Sequence, residues 1–296
     1  MIQDRSVGRY LFVAANYVIL IATSLLCILP FVNLLAVSFS GSAAVSAGDV
    51  VFWPVDFTTK AYEFAMTGGK FLSSLWVSVQ RVVLGTIVNL LLIVLTAYPL
   101  SKSSGKLAGR NWYMTFFIVT MLFNGGLIPT YLIVVKTGLI DSIWSLILPG
   151  ALPVFSMIIL MNFIRGLPEE IEESAIIDGA SPMQILIRVL LPLLKPALAT
   201  VGLFSIVGHW NSWFDGIIYM KNPANYPLQS YLQTLLMSFE QLMLKSGSDY
   251  TKLLSMMNAR TGRAAQMFLG AIPILLVYPF LQKYFTKGLV LGSVKG

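Results

Sequence analysis

Charged residues are scarce in this chain. They account for 11% of its 296 residues, whereas hydrophobic residues account for 56% and the mean hydropathy is +0.78. Soluble globular domains carry about 25% charged residues. The composition therefore excludes an ordinary soluble domain and predicts an integral membrane protein.

Cysteine and histidine are nearly absent as well. The chain has one cysteine, Cys27, and one histidine, His209. A disulfide framework, a cysteine metal site and a histidine metal centre each need more of these residues than the chain contains. A Ser-His-Asp catalytic relay would have to use His209, which is more simply explained as a polar group satisfied within a helical bundle.

A phosphate-binding loop is also missing from the sequence. Gly69 and Lys70 are followed by an aromatic residue, and Gly105 and Lys106 by a leucine, so neither pair completes the pattern G-x-x-x-x-G-K-[ST]. The chain cannot hydrolyse ATP by that route, and we expect it to bind no cofactor or metal of its own. Its net charge of +7 comes from scattered basic residues at the ends of apolar blocks, which argues against a nucleic-acid partner.

The chain has instead a series of long apolar blocks. A transmembrane helix needs about 20 such residues, and six blocks come close to that length. The first block is too long for the apolar core of a cleaved signal peptide, so we expect it to be retained. The predicted spans are Leu11 to Leu35, Val82 to Leu100, Tyr113 to Val135, Ile143 to Ile164, Ala197 to Phe214 and Ala264 to Leu281.

Basic residues near the short loops predict the orientation of these spans. Three of them lie at positions 102–110, between the second and third spans, against Lys136 alone between the third and fourth. The long loop 220–263 also carries basic residues and favours the opposite orientation, but short loops weigh more in this rule. We therefore expect both termini and the loop after the fourth span to be cytoplasmic, in the plasma membrane of a bacterial cell.

The organisation that follows is a single all-α membrane domain. We expect residues 1–72 to form an N-terminal membrane helix and an outer segment, 73–285 the core transmembrane domain, and 286–296 a cytoplasmic tail. Within the long outer loop, Leu228 to Leu244 has apolar residues at helical spacing. This pattern predicts a helix that lies along the membrane surface or dips between spans.

The densest group of charges lies between Pro168 and Pro196, a stretch we call the acidic elbow. Its first proline suits the start of a helix, and Gly179 suits the end of one. Ser181, with Gln184 three residues later, predicts a capping box that begins a second helix at once. The acidic elbow therefore predicts a helix, a tight turn and a second helix.

The first helix of the acidic elbow is crowded with carboxylates, at Glu169, Glu170, Glu172, Glu173 and Asp178. Helices that lie on the anionic inner leaflet favour lysine and arginine, so these acids argue against lipid docking. A solvated connector is the plain alternative. Apolar residues on the other side of the helix favour a groove on a partner protein instead.

The same residues carry a family resemblance. Glu173-Ser174-Ala175, Gly179 and Val189-Leu190-Leu191-Pro192 have the spacing of the loop E-A-A, three residues, G, nine residues, I-x-L-P. This segment resembles the signature loop of binding-protein-dependent ABC importer permeases, with Ser and Val at two positions where the family usually has Ala and Ile. The resemblance implies that ATPase subunits dock on Glu170, Glu173, Ser174, Ala175, Asp178, Gly179 and Ala180.

Further stretches are similar to the carbohydrate-uptake permeases, in particular to subunits for complex oligosaccharides and polysaccharides, which are related to the second maltose-type permease subunit. These stretches are 123–130, 137–139, 210–213 and 287–296. The resemblance implies a type I ABC importer fold with six transmembrane helices and a cytoplasmic coupling helix. It also implies a second permease subunit, two ATPase subunits that bind ATP and Mg, an extracellular substrate-binding protein and an oligosaccharide substrate.

Four residues are candidates for the substrate pathway. Trp210, Asn211 and Trp213 near the outer end of the fifth span suit stacking on sugar rings and bonding to hydroxyls. An interfacial aromatic belt explains the two tryptophans equally simply. Asn124 lies at membrane depth, where an amide needs partners, although helix packing at the adjacent glycines is an alternative.

An ion-coupled secondary transporter or channel is the rival interpretation. It predicts ionisable residues inside the spans. Apart from His209, only Arg81 at one span end and Asp215 near another approach this requirement. A membrane enzyme acting on a lipid-linked glycan would need an acidic cluster outside the acidic elbow. The sequence therefore favours a non-catalytic importer subunit.

Overall fold

Helices dominate the computed structural model, which describes residues 7–66, 70–244 and 259–293 and has no β-strand among them. The α-helices, in chain order, are α1 (Val7–Ser38), α2 (Ser42–Ala47), α3 (Lys60–Met66), α4 (Lys70–Ser101), α5 (Arg110–Leu122), α6 (Leu127–Lys136), α7 (Val154–Arg165), α8 (Glu169–Ile177), α9 (Pro182–Gln184), α10 (Leu191–Leu193), α11 (Lys195–Asn211), α12 (Phe214–Tyr219), α13 (Leu228–Leu244) and α14 (Ala259–Ser293). Short 3₁₀ turns cover Ile143–Leu146, Leu148–Gly150 and Pro223–Asn225, and a π-helical stretch covers Ile185–Leu190.

Two of the described helices, Gly8–Ser38 and Lys70–Ser101, are long and apolar enough to cross a membrane as single rods. Three bent pairs bring the number of candidate spans up to five. They are Arg110–Leu122 with Leu127–Lys136, Ile143–Gly150 with Val154–Arg165, and Pro182–Leu193 with Lys195–Asn211. The sixth predicted span falls within α14.

The predicted third span, Tyr113 to Val135, is therefore not one straight helix. Its two halves, α5 and α6, meet at 113°. The side chain of Asn124 turns back to accept a hydrogen bond from the amide N–H of Gly126 at 2.8 Å, and Gly126 adopts a positive φ of 87°. Only glycine adopts this conformation readily, so the Asn-Gly-Gly sequence breaks the helix.

Proline and glycine also break the predicted fourth span. Ile143–Gly150 consists of 3₁₀ turns that contain Pro149, and α7 starts after Pro153 at an angle of 53° to them. A proline ring removes a backbone donor and clashes with the preceding turn, which explains the interruption. This break leaves polar backbone at membrane depth, which requires burial in protein or a water-lined cavity.

By mutual contacts the chain divides into two units, Met1–Gly68 with Thr234–Ala271, and Gly69–Gln233 with Ile272–Gly296. In the first unit, the end of α1 packs against the segment that follows it. Phe39 stacks between Phe57 and Tyr62, with ring centroids 5.4 and 4.7 Å apart, and the Ser38 and Tyr62 hydroxyls hydrogen-bond at 2.7 Å. Residues 8–32 of α1 are exposed and mostly apolar, as suits a helix in contact with lipid or another subunit.

The second unit is organised around one buried face of α4. Its buried residues recur every three or four positions, which places them on a single helical stripe. The stripe is polar in the first part of α4 and apolar in the last part: Ser74, Ser78, Arg81, Gly85, Asn89, then Ile93, Ala97 and Leu100. The apolar part joins Met157 and Leu160 of α7 and Ala197 of α11 in the main hydrophobic core.

The predicted helix Leu228 to Leu244 is confirmed with the same bounds, as α13. The predicted division at residues 72 and 285 stays a prediction. Residues 286–293 of the predicted cytoplasmic tail are helical, as the last part of α14.

Candidate functional site

The turn inside the acidic elbow has the geometry that its sequence predicts. Gly179 has a φ of 77° and donates its N–H to the carbonyl of Ile176 at 2.9 Å, while Ala180 donates to Ala175 at 3.0 Å. These two bonds make a Schellman motif, which closes the end of α8. Helix α8 begins at Glu169, one residue later than predicted, with Pro168 as its N-cap.

The second helix of the elbow begins with the predicted capping box. The backbone N–H of Ser181 donates to Oε1 of Gln184 at 2.8 Å, and the backbone N–H of Gln184 donates to the Ser181 hydroxyl oxygen at 3.4 Å. Both bonds use helix-end donors that have no partner within the helix. Strong local signals at both ends therefore fix the angle at which α8 projects.

The residues predicted to dock an ATPase lie on two sides of α8. Ala175 and Ala180 are half-buried and pack against the core of the second unit. The other five are exposed: Glu170, Glu173, Ser174, Asp178 and Gly179. The exposed side can meet a partner, whereas the two alanines attach the helix to its own domain.

Two exposed apolar residues of α8, Ile176 and Ile177, belong to the apolar side for which the sequence predicts a groove on a partner protein. Ile176 is 53% exposed and Ile177 is 86% exposed. Two adjacent isoleucines at the end of an acidic helix leave apolar area in water unless a partner covers it. The partner groove that would cover them stays a prediction.

A half-buried ion pair connects α8 to the end of α4. Both carboxylate oxygens of Glu172 accept hydrogen bonds from Nζ of Lys102, and Oε1 also accepts from the Tyr98 hydroxyl at 3.3 Å. The same ammonium group lies 4.1 Å from the centre of the Tyr98 ring, within the range of a cation–π contact. In the sequence Lys102 indicates only the orientation of the spans, and its contact with Glu172, 70 positions away, has no local signal.

Two arginines cap the same end of α4. The carbonyl of Leu100 accepts hydrogen bonds from Nε of Arg110 at 2.9 Å and from Nη2 of Arg165 at 3.1 Å, and Nε of Arg165 donates to the Ser101 carbonyl at 3.3 Å. Cationic donors satisfy the free carbonyls at a helix end and complement its dipole. The end of α4 is therefore held by groups from α5, α7 and α8 together.

A second feature of this unit is a cavity of about 620 Å³ with a largely apolar lining and several polar groups, which we call the chamber. It lies beside the first part of α4, the broken fourth span, and α11 with α12. Its lining residues are Arg81, Asn89, Ser145, Leu146, Pro149, Gly150, Pro153, Phe155, Ser156, Phe204, Ser205, Gly208, His209, Ser212, Asp215 and Tyr219.

Asn89 connects three elements at the inner wall of the chamber. Its amide is fully satisfied when the nitrogen donates to the carbonyls of Gly85 and Ala151, at 3.0 and 3.1 Å, and the oxygen accepts from Ser205 and His209, at 3.2 and 3.3 Å. A side chain added at Gly85 would collide with the His209 ring. The close approach of α4 and α11 at Gly85, with the complete hydrogen bonding of the amide, explains why Asn89 and His209 are stable inside an apolar unit.

A buried ion pair lies farther along the same wall. Arg81 is only 3% exposed, and both of its terminal nitrogens hydrogen-bond to the carboxylate of Asp215, with the Nη1 to Oδ1 distance at 3.1 Å. The guanidinium also donates to the carbonyls of Ser212 and Leu146, each at 3.3 Å. Arg81 lies on the buried stripe of α4, and its four-residue spacing to Gly85 and Asn89 was the signal of its burial.

The structure does not bring the four predicted pathway residues together at the chamber. Asn124 caps the α5–α6 turn, and Trp210 is a buried residue of α11 that does not line the chamber. Asn211 and Trp213 are exposed near the end of α11. Their role in the pathway stays a prediction.

The comparison with known families decides the identity of this arrangement. Residues 89–290 match the family described as "Binding-protein-dependent transport system inner membrane component". The chain belongs to this family. The matched region includes the acidic elbow, all of α5 to α13 and the last part of the α4 stripe.

Comparisons with individual proteins agree with this family membership. The chain is 41% identical to Protein LplC of Bacillus subtilis (strain 168), over 99% of this chain and 98% of that protein. It is 40% identical to the polygalacturonan/rhamnogalacturonan transport system permease protein YtcP of the same organism, over 97% and 99%. A crystal structure of a bacterial ABC transporter involved in the import of the acidic polysaccharide alginate matches with a TM-score of 0.81 and 31% identity, over 95% of this chain and 99% of that one.

The fold is therefore that of a type I ABC importer permease, and the chain is a permease subunit of a binding-protein-dependent importer of sugars or oligosaccharides. It is an inner-membrane transport component, and membership implies an ATPase and a substrate-binding protein as partners. An ion-coupled transporter without an ATPase does not fit this family.

The ion pair of Glu172 predicts an effect on coupling. In Glu172→Gln, one charged partner is lost, and a charge-assisted hydrogen bond of this kind contributes roughly 1.5–3 kcal/mol. We expect transport per ATP hydrolysed by the assembled complex to fall about threefold or more, and Glu172→Lys with Lys102→Glu to recover part of it. Glu169→Gln is the control, because Glu169 is exposed in the same helix and makes no ion pair within the described residues. Equal transport per ATP in all variants would contradict this role.

The buried Arg81–Asp215 pair predicts an effect on stability. Asp215→Ala leaves the buried guanidinium without its counter-ion, which costs roughly 3 kcal/mol. We expect a clearly lower Tm for the detergent-solubilised complex, and a partial recovery when Arg81→Met is added. The exposed Asp49 supplies the control, since Asp49→Ala should leave the Tm nearly unchanged. A Tm equal to that of the wild type for Asp215→Ala would contradict the assignment.

Proposed function

We propose that two separate ATPase subunits bind ATP and Mg and that one of them docks on the exposed side of α8 in this subunit. A second permease subunit would form a heterodimer with this chain, and an extracellular binding protein would deliver the substrate. Both termini and α8 would lie in the cytoplasm, in agreement with the basic residues at positions 102–110. The single observation that carries the proposal is the exposed side of α8, where carboxylates adjoin Ile177, 86% exposed.

The geometry of α8 suits the transmission of movement. The Schellman motif at Gly179 and the capping box at Ser181 fix the two ends of the turn, and Glu172 ties the helix to Lys102. A groove on an ATPase that moved on ATP binding would therefore displace α8 as a rigid lever. The end of α4, held by the same contacts, would move with it and change the pathway from inward-facing to outward-facing.

The proposed substrate is an oligosaccharide or glycan fragment. Two relatives support this class. YtcP is named as a permease of a polygalacturonan/rhamnogalacturonan transport system, and the transporter of the related crystal structure is involved in the import of alginate. Membrane lipid surrounds the spans, and no nucleic acid takes part.

Reversing one charge on the exposed side of α8 tests ATPase docking. Glu173 is exposed, so Glu173→Lys should fold normally and weaken the docking contact. We expect the ATPase to co-purify with the permease at least tenfold less and substrate-stimulated ATP hydrolysis to fall with it. Asp49→Lys makes the same charge change at an exposed position of the first unit and should leave both unchanged. Unaltered co-purification and hydrolysis for Glu173→Lys would refute docking at this surface.

A further inference from the structure

Helix α11 carries a polar stripe that faces the chamber. Ser205, His209 and Ser212 follow one another at intervals of four and three residues, so they lie on one side of the helix and of the turn that continues it. The rest of this helix is largely apolar. Polar residues at membrane depth face a bundle interior or a water-filled cavity and are characteristic of substrate pathways.

Two exposed phenylalanines contribute to the apolar part of the chamber lining. Phe155 near the start of α7 is 62% exposed, and Phe204 of α11 is 43% exposed. Exposed phenylalanine is ordinary on a lipid-facing surface, but here both rings line a cavity together with hydroxyl, imidazole and carboxylate groups. Apolar faces combined with a few polar groups are the usual composition of a site for a sugar ring.

Two glycines leave the chamber wall open. Gly150 and Gly208 line the chamber, and a Cβ atom added at either would meet no atom within 4 Å. Gly85, at the inner wall, has no such space. A ligand can therefore approach the backbone closely at Gly150 and Gly208, in a cavity whose volume of about 620 Å³ is within the usual range for ligand sites.

The charges of the chamber indicate which chemical groups it would bind. The guanidinium of Arg81 is matched by the carboxylate of Asp215, so the pair presents no excess charge. Asp215 is 23% exposed; its Oδ1 accepts hydrogen bonds from Arg81, the Ser212 hydroxyl and the Gly216 N–H, whereas its Oδ2 accepts only from Arg81 and keeps one acceptor site. The hydroxyl of Ser212 donates to Asp215 and keeps its own oxygen as an acceptor. Such a lining suits the hydroxyl groups of a sugar better than a free ion.

From this juxtaposition we infer that this subunit itself contacts the transported glycan, holding one of its sugar rings in the chamber. The ring lies against Phe155 or Phe204, and its hydroxyls bond to the groups of the polar stripe and to Asp215. The inference rests on the proposed function, since it assumes that the cargo is a glycan. It assigns the contact to the chamber rather than to the exposed residues at the end of α11.

Filling the open space at Gly208 tests this site without removing any interaction. Gly208→Leu adds a side chain where no atom lies within 4 Å, and leucine favours the helical backbone of α11. The complete transporter would be reconstituted in proteoliposomes with its binding protein and given labelled galacturonan and alginate oligosaccharides. We expect uptake to fall at least tenfold while the complex assembles normally. Gly202→Ala is the control on the same helix, because its Cβ would make only ordinary contact with Leu90, at 3.7 Å.

Phe155→Ala and Phe204→Ala supply a second test that does not depend on the leucine variant. Each should lower uptake about fivefold, whereas Phe163→Ala, also exposed on α7 but outside the chamber, should not. If the wild type transports a glycan and the Gly208 and phenylalanine variants transport it equally well, the chamber is not the site, although the proposed function stands. If Gly208→Leu fails to assemble, the two phenylalanine variants decide. If the wild-type complex transports neither glycan, the proposed function fails and this inference with it.

Discussion

The ion pair between Glu172 and Lys102 makes α8 part of the membrane domain. Without it, an acidic helix between two turns would be held only by the half-buried side chains on its inner side. With it, α8 is joined to the end of α4, which Arg110 and Arg165 cap from two further elements. The proposed transmission of movement from α8 to α4 therefore depends on this ion pair.

Helix α4 then connects the attachment point to the chamber. Its buried stripe runs from Leu100 back through Asn89 to Arg81. At a rise of 1.5 Å per residue, Arg81 lies about 30 Å along the helix from Ser101, where α4 ends. Over that length the stripe changes from apolar contacts with α7 and α11 to polar contacts with α11, α12 and the broken segment before α7. A displacement of α8 would therefore act on a rigid rod that also forms one wall of the chamber.

The sequence was informative where local chemistry decides the structure. The turn at Gly179, the capping box at Ser181 and the helix Leu228–Leu244 all depend on residues close together in the chain, and their prediction was confirmed. The helical membrane fold followed from hydropathy in the same way. The sharp break at Asn124 was missed, because a hydropathy block shows the length of a span but not its direction.

Contacts between distant residues were beyond the sequence. Arg81 and Asp215 are 134 positions apart, and each was interpreted from its own surroundings as a residue near a span end. The same applies to Glu172, whose partner Lys102 is 70 positions away. The chamber joins residues from four separate helices, so no single stretch could predict it. The tryptophans at the end of α11 were the only local signal for a sugar, and they do not line the chamber.

The most direct test of the coupling proposal is a photo-crosslinking measurement on the complete complex. A photoreactive amino acid replaces Ile177, which is 86% exposed on α8, or, as a control, Trp53, an exposed residue of the first unit. The account predicts that the probe at position 177 crosslinks to a subunit containing the sequence G-x-x-x-x-G-K-[ST], and that the probe at position 53 does not. No such crosslink from position 177, or an equal one from position 53, would contradict it.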